Sequence, residues 1–394
     1  MDLAGFEELL TPEGARLLDE LPPYEEAAAL GVAAAARRRG LPDGLVAVAM
    51  TQQRLRARAV TKFGAAAGRM FFTPEGLEQA TRPEVAARHA RRFADAGLGR
   101  VADLCCGIGG ELSALAGVGI EVLAIDRDPL TCAVAKANVA ALGLGGVRVE
   151  CADVVGTDLA EQQGAFIDPA RRGGPGGRRT FDPSSFSPPY DVVLNLARDV
   201  GALGAKLAPG LPHHLIPPGV EAEWVSVDGA VVECALWFGP LASGVDRRAT
   251  LLSGEGSVAD LTGDGVDRAP VGPVHRYLYE PDGAVIRAGL VAEAAAQVGG
   301  TLVDSSIAYV TADGLVATPF LTAYEVTDVM PFGLKRLRTV LRDRGVGRLT
   351  VKKRGSAIEP ESLRRQLRLD GPEEATVVLT RVAGEPTMLL VRRV

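Results

Sequence analysis

The sequence predicts an α/β protein: a Rossmann-like core, preceded by a helical N-terminal region and followed by a C-terminal ferredoxin-like α+β module. Three observations predict it. Residues 101–128, VADLCCGIGGELSALAGVGIEVLAIDRD, pass from an apolar run through a glycine turn and a helix-like segment to a second apolar run ending at Asp126, which is a βαβ unit. The chain before it carries repeated helix-start signals, and the chain beyond residue 273 returns to alternating strand and helix patterns. Hydrophobic residues make up 47 % of the 394, enough for a packed core, and that length suggests about two or three domains.

Residues 1–95 read as helical. Thr-Pro-Glu-Gly occurs at 11–14 and again at 73–76, each time a capping threonine before a proline suited to the first helical position. Thr81-Arg82-Pro83-Glu84 has the form of a capping box and predicts a helix to about Ala94, with Thr81 as its cap. Between them a helix is expected from Asp43 to about Lys62, stopped by Gly64. The core is expected over 96–252, with strands near 100–104, 121–125, 147–151, 164–168 and 191–196, then two strands joined by a tight Asp228-Gly229 turn. Residues 253–272 are Gly/Asp-rich and read as a linker. Over 273–332 and on into 333–353 the predicted order is βαββαβ, a ferredoxin-like split unit. The last part, 333–394, is basic.

Composition bounds the setting. No run of about 18 apolar residues lacks charge, so no membrane span is expected. The acidic start MDLAGFEELL lacks the basic stretch of a signal peptide, which predicts a cytoplasmic protein. The five cysteines form no C-x-x-C pair, and no metal site is expected. Net charge is −6, yet residues 335–368 hold twelve Lys and Arg against three acids, a local patch suited to phosphates.

The glycine turn narrows the ligand. A dinucleotide fingerprint needs a third glycine where Leu112 stands, so it fails. The pattern Asp103-x-x-x-Gly107-x-Gly109-Gly110 instead resembles the first motif of class I S-adenosylmethionine (SAM) methyltransferases, and the hairpin at 228–229 resembles the end of their sheet. The resemblance implies SAM as cofactor. It matches Asp126 to the acid that meets the ribose hydroxyls, Asp153 to the acid facing the adenine amino group, and Asp168 to the fourth motif beside the transferred methyl. Cys105 sits in the same turn, where a small side chain suits close packing. The segment 72–81 resembles one that folds over the SAM carboxylate in RNA methyltransferases, which brings Thr81 into the cofactor set.

Asp168-Pro169-Ala170-Arg171 resembles the [D/N]-P-P-[Y/F] loop of methyltransferases that act on base amines, with Ala170 and Arg171 replacing its last two residues. The variant is also similar to the loop of RNA uridine C5 methyltransferases, whose cysteine nucleophile has no counterpart at a suitable place here. Asp168, Pro169 and Arg171 are the catalytic candidates; an arginine plane can stack on a base as well as pair with phosphate. Arg172, Arg178 and Arg179 follow on a glycine tract and suit a phosphate clamp, while Lys335, Arg336, Arg338, Lys352, Lys353 and Arg354 are the downstream RNA-binding candidates. Tyr277, Tyr279, Tyr309 and Tyr324 could stack bases or pack in a half-buried sheet.

Taken whole, the order of motifs resembles a bacterial family of class I methyltransferases carrying a C-terminal THUMP-like domain. THUMP domains capture structured RNA, so the resemblance implies a tRNA or rRNA partner. A methyltransferase of small molecules or proteins, and a SAM- and RNA-binding protein without catalysis, stand as alternatives.

Overall fold

The computed structural model describes residues 1–171, 186–254 and 256–394. They form two compact units, one of Met1–Val220 with Ala235–Ser243 and the other of Glu221–Cys234 with Gly244–Val394.

In the first unit the helices α1 (Leu3–Leu9), α2 (Pro12–Glu20), α3 (Ala29–Arg38), α4 (Asp43–Phe63), α5 (Pro74–Gln79) and α6 (Pro83–Asp95) precede the sheet. Both Thr-Pro-Glu-Gly signals act as read: Thr11 accepts a hydrogen bond from the Gly14 amide, and Thr73 from the Gly76 amide. The Thr81 cap is corrected. Pro83 occupies the first turn of α6, so Arg82 is the cap residue and makes no side-chain cap bond. The Thr81 hydroxyl is turned into the core instead.

The sheet is built from β1 (Arg100–Leu104), β2 (Glu121–Asp126), β3 (Val147–Cys151), β4 (Gly164–Ile167) and β7 (Leu203–Leu207), with α7 (Gly110–Gly117), α8 (Pro129–Leu142) and α9 (Tyr190–Val200) in the connections. A small ribbon pairs β5 (Ala170–Arg171) with β6 (Phe186–Ser187). The parallel order is β3-β2-β1-β4-β7. It reverses direction between β1 and β4, and the cleft beyond the carboxyl ends of those two strands is where open α/β sheets bind ligands. Residues 191–196, expected as a strand, lie in α9. Their valines suggested β structure, but Tyr190 and Val193 are spaced for one buried helix face, and left-handed Gly201 ends the helix. The fifth parallel strand is β7. Phe93, Val101, Leu112, Phe166 and Trp237 are all fully buried in the core behind the cleft.

In the second unit β8 (Glu221–Val227) turns through Asp228-Gly229 into β9 (Ala230–Trp237), whose last residues belong to the first unit. Both turn residues have positive φ, 49° and 79°, as the expected tight hairpin requires. β10 (Arg247–Leu252) runs parallel to β8, and β11 (Val258–Gly263) pairs antiparallel with β10. The linker expected over 253–272 therefore contains a strand. Its Gly/Asp content hid the pairing, in which the Thr250 hydroxyl donates to Asp260 at 2.7 Å.

The remaining elements are β12 (Tyr277–Pro281), α10 (Gly283–Ala288), α11 (Val291–Gln297), β13 (Thr301–Asp304), β14 (Ile307–Ala312), β15 (Leu321–Pro331), α12 (Leu334–Asp343), β16 (Val346–Lys353), α13 (Pro360–Leu367), β17 (Glu373–Val382) and β18 (Glu385–Arg393). They form a seven-stranded sheet of order β13-β14-β12-β15-β18-β17-β16. A split βαββαβ unit would set β12 beside β16. Here β14 takes that place beside β12, and β15, β18 and β17 lie between β12 and β16. The pairing of β15 with β18 joins 273–332 to 333–394 in one sheet. The four tyrosines are buried, Tyr279 and Tyr309 almost completely, so they pack the sheet and offer no surface for bases.

Candidate functional site

The turn after β1 is shaped by its backbone. Cys105 has φ 61°, Gly107 55° and Gly109 95°, all left-handed. A side chain at Gly107 would project into open space, so glycine leaves the surface of the turn clear for a ligand. The Gly107 amide donates to Asp126 Oδ2 at 3.1 Å and the Asp128 amide to Asp126 Oδ1 at 3.0 Å, which fixes the acid ending β2 against the turn. Asp153 stands exposed beyond β3, its carboxylate accepting from the Val155 amide at 2.8 Å.

Asp103 is 1 % exposed, and neither carboxylate oxygen accepts a hydrogen bond of normal geometry. Burial raises its carboxyl well above the ordinary range; Glu111, Asp168 and Asp126 add to the rise, and the Leu112 amide opposes it only in part. Burial and the same aspartates also raise the Cys105 thiol. Four acids thus converge on the turn.

Asp168 follows β4 and forms an ion pair of 2.6 Å with Lys206 on β7. The Lys206 ammonium also donates to Thr81 Oγ1 at 3.0 Å. The Thr81 side chain also helps to hold the Glu111 carboxyl down, and His89 Nδ1 lies 3.2 Å from Glu111 Oε1. Burial pushes the Glu111 carboxyl up, but His89, Lys206 and Thr81 together outweigh it and hold it below the ordinary range. The His89 ring stacks on Phe166 at 5.0 Å and meets Trp237 edge-on at 5.4 Å. His89, Glu111 and Lys206 were missed in the sequence. Lys206 lies in a plain strand pattern, LGAKL, 38 positions from Asp168; only sheet register brings them together.

The segment 71–81 closes one side of the turn. Gly76 of α5 approaches it so tightly that a Cβ there would lie 2.3 Å from Ile108 Cγ2. Asn138 of α8 donates to the Ile108 and Phe71 carbonyls at 2.8 and 3.0 Å and accepts from the Phe71 amide at 2.6 Å. Lys62 donates to the Leu77 carbonyl at 2.9 Å; burial, with Lys206 and Arg82 nearby, pushes its ammonium down to about 8.

Pro169 is buried beside Asp168, and the backbone of Arg171 pairs with β6. Arg172, Arg178 and Arg179 lie outside the described residues. Of the downstream cations, Lys335 and Arg336 are exposed on α12 and make no ion pair with the described residues. The others are engaged by groups of the protein itself, Lys353 while still exposed. Arg338 donates to the Gln366 carbonyl, where it meets the C-terminal end of α13. Lys352 pairs with Glu280 and Lys353 with Glu359, each at 2.6 Å, and the Arg354 guanidinium lies over the Tyr309 ring at 5.4 Å.

An uncharacterized S-adenosylmethionine-dependent methyltransferase of Mycobacterium tuberculosis (strain CDC 1551 / Oshkosh) is 37 % identical over 342 residues, 84 % of this chain and 91 % of the relative. Its counterpart in strain ATCC 25618 / H37Rv matches to the same extent. The chain belongs to the SAM-dependent methyltransferases. SAM is accordingly the cofactor of this methyltransferase, and its core has the Rossmann-like fold expected. The crystal structure of a proposed methyltransferase from Porphyromonas gingivalis W83 superposes with a TM-score of 0.72 at 19 % identity, covering 94 % of this chain and all of that one. Family models match a THUMP domain-like region at 321–393, the span from β15 to β18, and a domain of unknown function (DUF8688) at 2–59.

The residues of this methyltransferase suit the cofactor chemically. SAM carries a sulfonium and an ammonium, and the cleft offers a buried carboxylate without a partner among convergent acids, under a turn left open at Gly107. Among the described residues no cluster of metal-ligating side chains occurs, and no helix is long and apolar enough to cross a membrane.

Proposed function

We propose that this enzyme methylates a nucleotide of a structured RNA, tRNA or rRNA. The observation that carries the reading is the THUMP domain-like region on the same chain as the methyltransferase core. Exposed Lys335 and Arg336 within that region support it, since phosphate neutralisation needs cations not already paired.

In this reading Asp103, Cys105, Gly107, Gly109, Asp126 and Asp153 hold the cofactor, with Thr81 behind the turn. SAM supplies a methyl group on a sulfonium, a leaving group that needs no further activation. The protein therefore contributes mainly alignment and exclusion of water. Asp168 and Pro169, at the carboxyl end of β4, orient the acceptor, and Arg171 stacks on or pairs with the target nucleotide. Asp168 accepts a proton only where the acceptor keeps one until attack.

The reading is tested with tritiated SAM and total RNA from a deletion strain, using wild-type RNA as control. Label entering a discrete tRNA or rRNA from the deletion strain alone is the expected result. Absence of label from both, with SAM binding confirmed by calorimetry, would contradict it and favour a small-molecule or protein acceptor.

A further inference from the structure

We propose that Lys206 is a positioning residue for methyl transfer, fixing the Asp168 carboxylate and being itself fixed through Thr81 to the buried Glu111–His89 pair. The proposal rests on Asp168 as the residue that orients the acceptor. β7 lies beside β4 with Ala205 opposite Ile167, so Lys206 and Asp168 are the next residues along two neighbouring parallel strands. A lysine side chain only 15 % exposed at a strand end is costly unless its charge is met. Here it is met at the cleft, by Asp168 Oδ2 at 2.6 Å and Thr81 Oγ1 at 3.0 Å. Thr81 also acts on the buried Glu111, lowering its carboxyl as Lys206 does, and Glu111 Oε1 lies 3.2 Å from the Nδ1 of a histidine packed against Phe166 and Trp237. The carboxylate rotamer at the cleft is thereby tied to fully buried residues of the core. Small errors in the placement of reacting groups, near 1 Å, slow reactions by as much as about a hundredfold, which is the scale on which such a tether acts.

The test uses the full chain, tritiated SAM and deletion-strain RNA, with kcat, KM and the SAM dissociation constant measured for Lys206→Met, Lys206→Arg, Thr81→Val, Asp168→Ala and the Asp168→Ala/Lys206→Met pair. Lys206→Met is expected to lower kcat by about 10- to 100-fold while SAM affinity changes less than about threefold. Lys206→Arg should restore much of the loss, and the double variant should be no slower than Asp168→Ala. An equal loss of SAM affinity, or a further slowing of Asp168→Ala by the same factor, would overturn the proposal, because Lys206 would then act on cofactor or acceptor directly. Full activity in Asp168→Ala would instead remove the acceptor role of Asp168, and this proposal with it, so the two failures are distinguishable. Should Lys206→Met fail to fold, Thr81→Val carries the test, since it breaks the tether and keeps the charge; unchanged kcat in that variant would overturn the proposal. Should that RNA accept no label from the wild type, melting temperatures of the same cycle decide: a smaller loss from Lys206→Met in the Asp168→Ala background supports coupling, and equal losses contradict it.

Discussion

Asp103 combines complete burial, two carboxylate oxygens without hydrogen bonds and three neighbouring acids that raise its carboxyl further. In the ligand-free protein the ionised form of this carboxyl is uncompensated, which costs stability. Its folded pKa lies above the unfolded value of about 4. The folded state therefore binds the extra proton between the two, and this contribution to stability grows as pH falls through the folded value. Asp103→Asn should remove that pH dependence, leave the ligand-free melting temperature near pH 7 unchanged or higher, and weaken SAM binding at least about tenfold, roughly the loss of one charge-assisted contact. Scanning calorimetry across pH with SAM titration checks all three. Glu111 has the opposite sign: its lowered pKa gives stability present above the ordinary glutamate value and lost as pH falls through the folded one. At this scale the motif residues Asp103, Gly107, Asp126 and Asp168 were legible because each ends a strand or opens a turn. Lys206 was not, since nothing in its own neighbourhood distinguishes it from a strand residue.

Elements set the cleft more than single residues do, and the N-terminal helices pack on it through a buried cluster with Ile108, Val134 and Ala137 and through side-chain hydrogen bonds. Gln52 of α4 donates to the Phe72 carbonyl at 2.7 Å and accepts from the Phe72 amide at 3.1 Å, while Asn138 holds Phe71 and Ile108 from the other side. Asn138→Ala would leave three backbone groups unpaired around a buried site. A loss of about 1–3 kcal/mol in unfolding free energy is expected, with weaker SAM binding because the Ile108 carbonyl belongs to the glycine turn. Denaturant melts and calorimetry measure both; unchanged SAM affinity would show that the helical segment does not brace the turn. Element by element, the sequence was readable where local chemistry decides conformation: the Thr-Pro caps, the glycine turn and the Asp228-Gly229 hairpin. It misled where partners decide. α9 looked like a strand through its valines, β11 was concealed in a Gly/Asp-rich stretch, and Thr81 was assigned to a helix start that Pro83 moved by one residue.

For the molecule as a whole, a methyltransferase core and a THUMP-like sheet occupy one chain, and the acidic net charge of −6 must coexist with the RNA partner proposed above. Five of the twelve basic residues counted at 335–368 are held in ion pairs: Arg344, Arg348, Lys352, Lys353 and Arg364. Exposed pairs of this kind contribute little to stability, but they do withdraw cations from phosphate. The expected salt slope is therefore shallower than the sequence count implies. Replacing Lys335 and Arg336 together by alanine should reduce the slope of log binding constant against log salt by about 2, with little change in melting temperature. Filter binding of deletion-strain RNA across a salt series gives the slope. An unchanged slope would place the phosphate contacts elsewhere. The strand order of the second sheet was not readable, because β17 and β18 insert between elements that a split unit would make neighbours.

Asp168, at the carboxyl end of β4, is proposed to serve methyl transfer to RNA. Its most direct test is single-turnover transfer of tritium from SAM to deletion-strain RNA by the wild-type enzyme and by Asp168→Ala, both saturated with cofactor. The prediction is discrete RNA labelling by the wild type and a loss of at least about a hundredfold in the variant with SAM still bound. Equal transfer by the two proteins would contradict it.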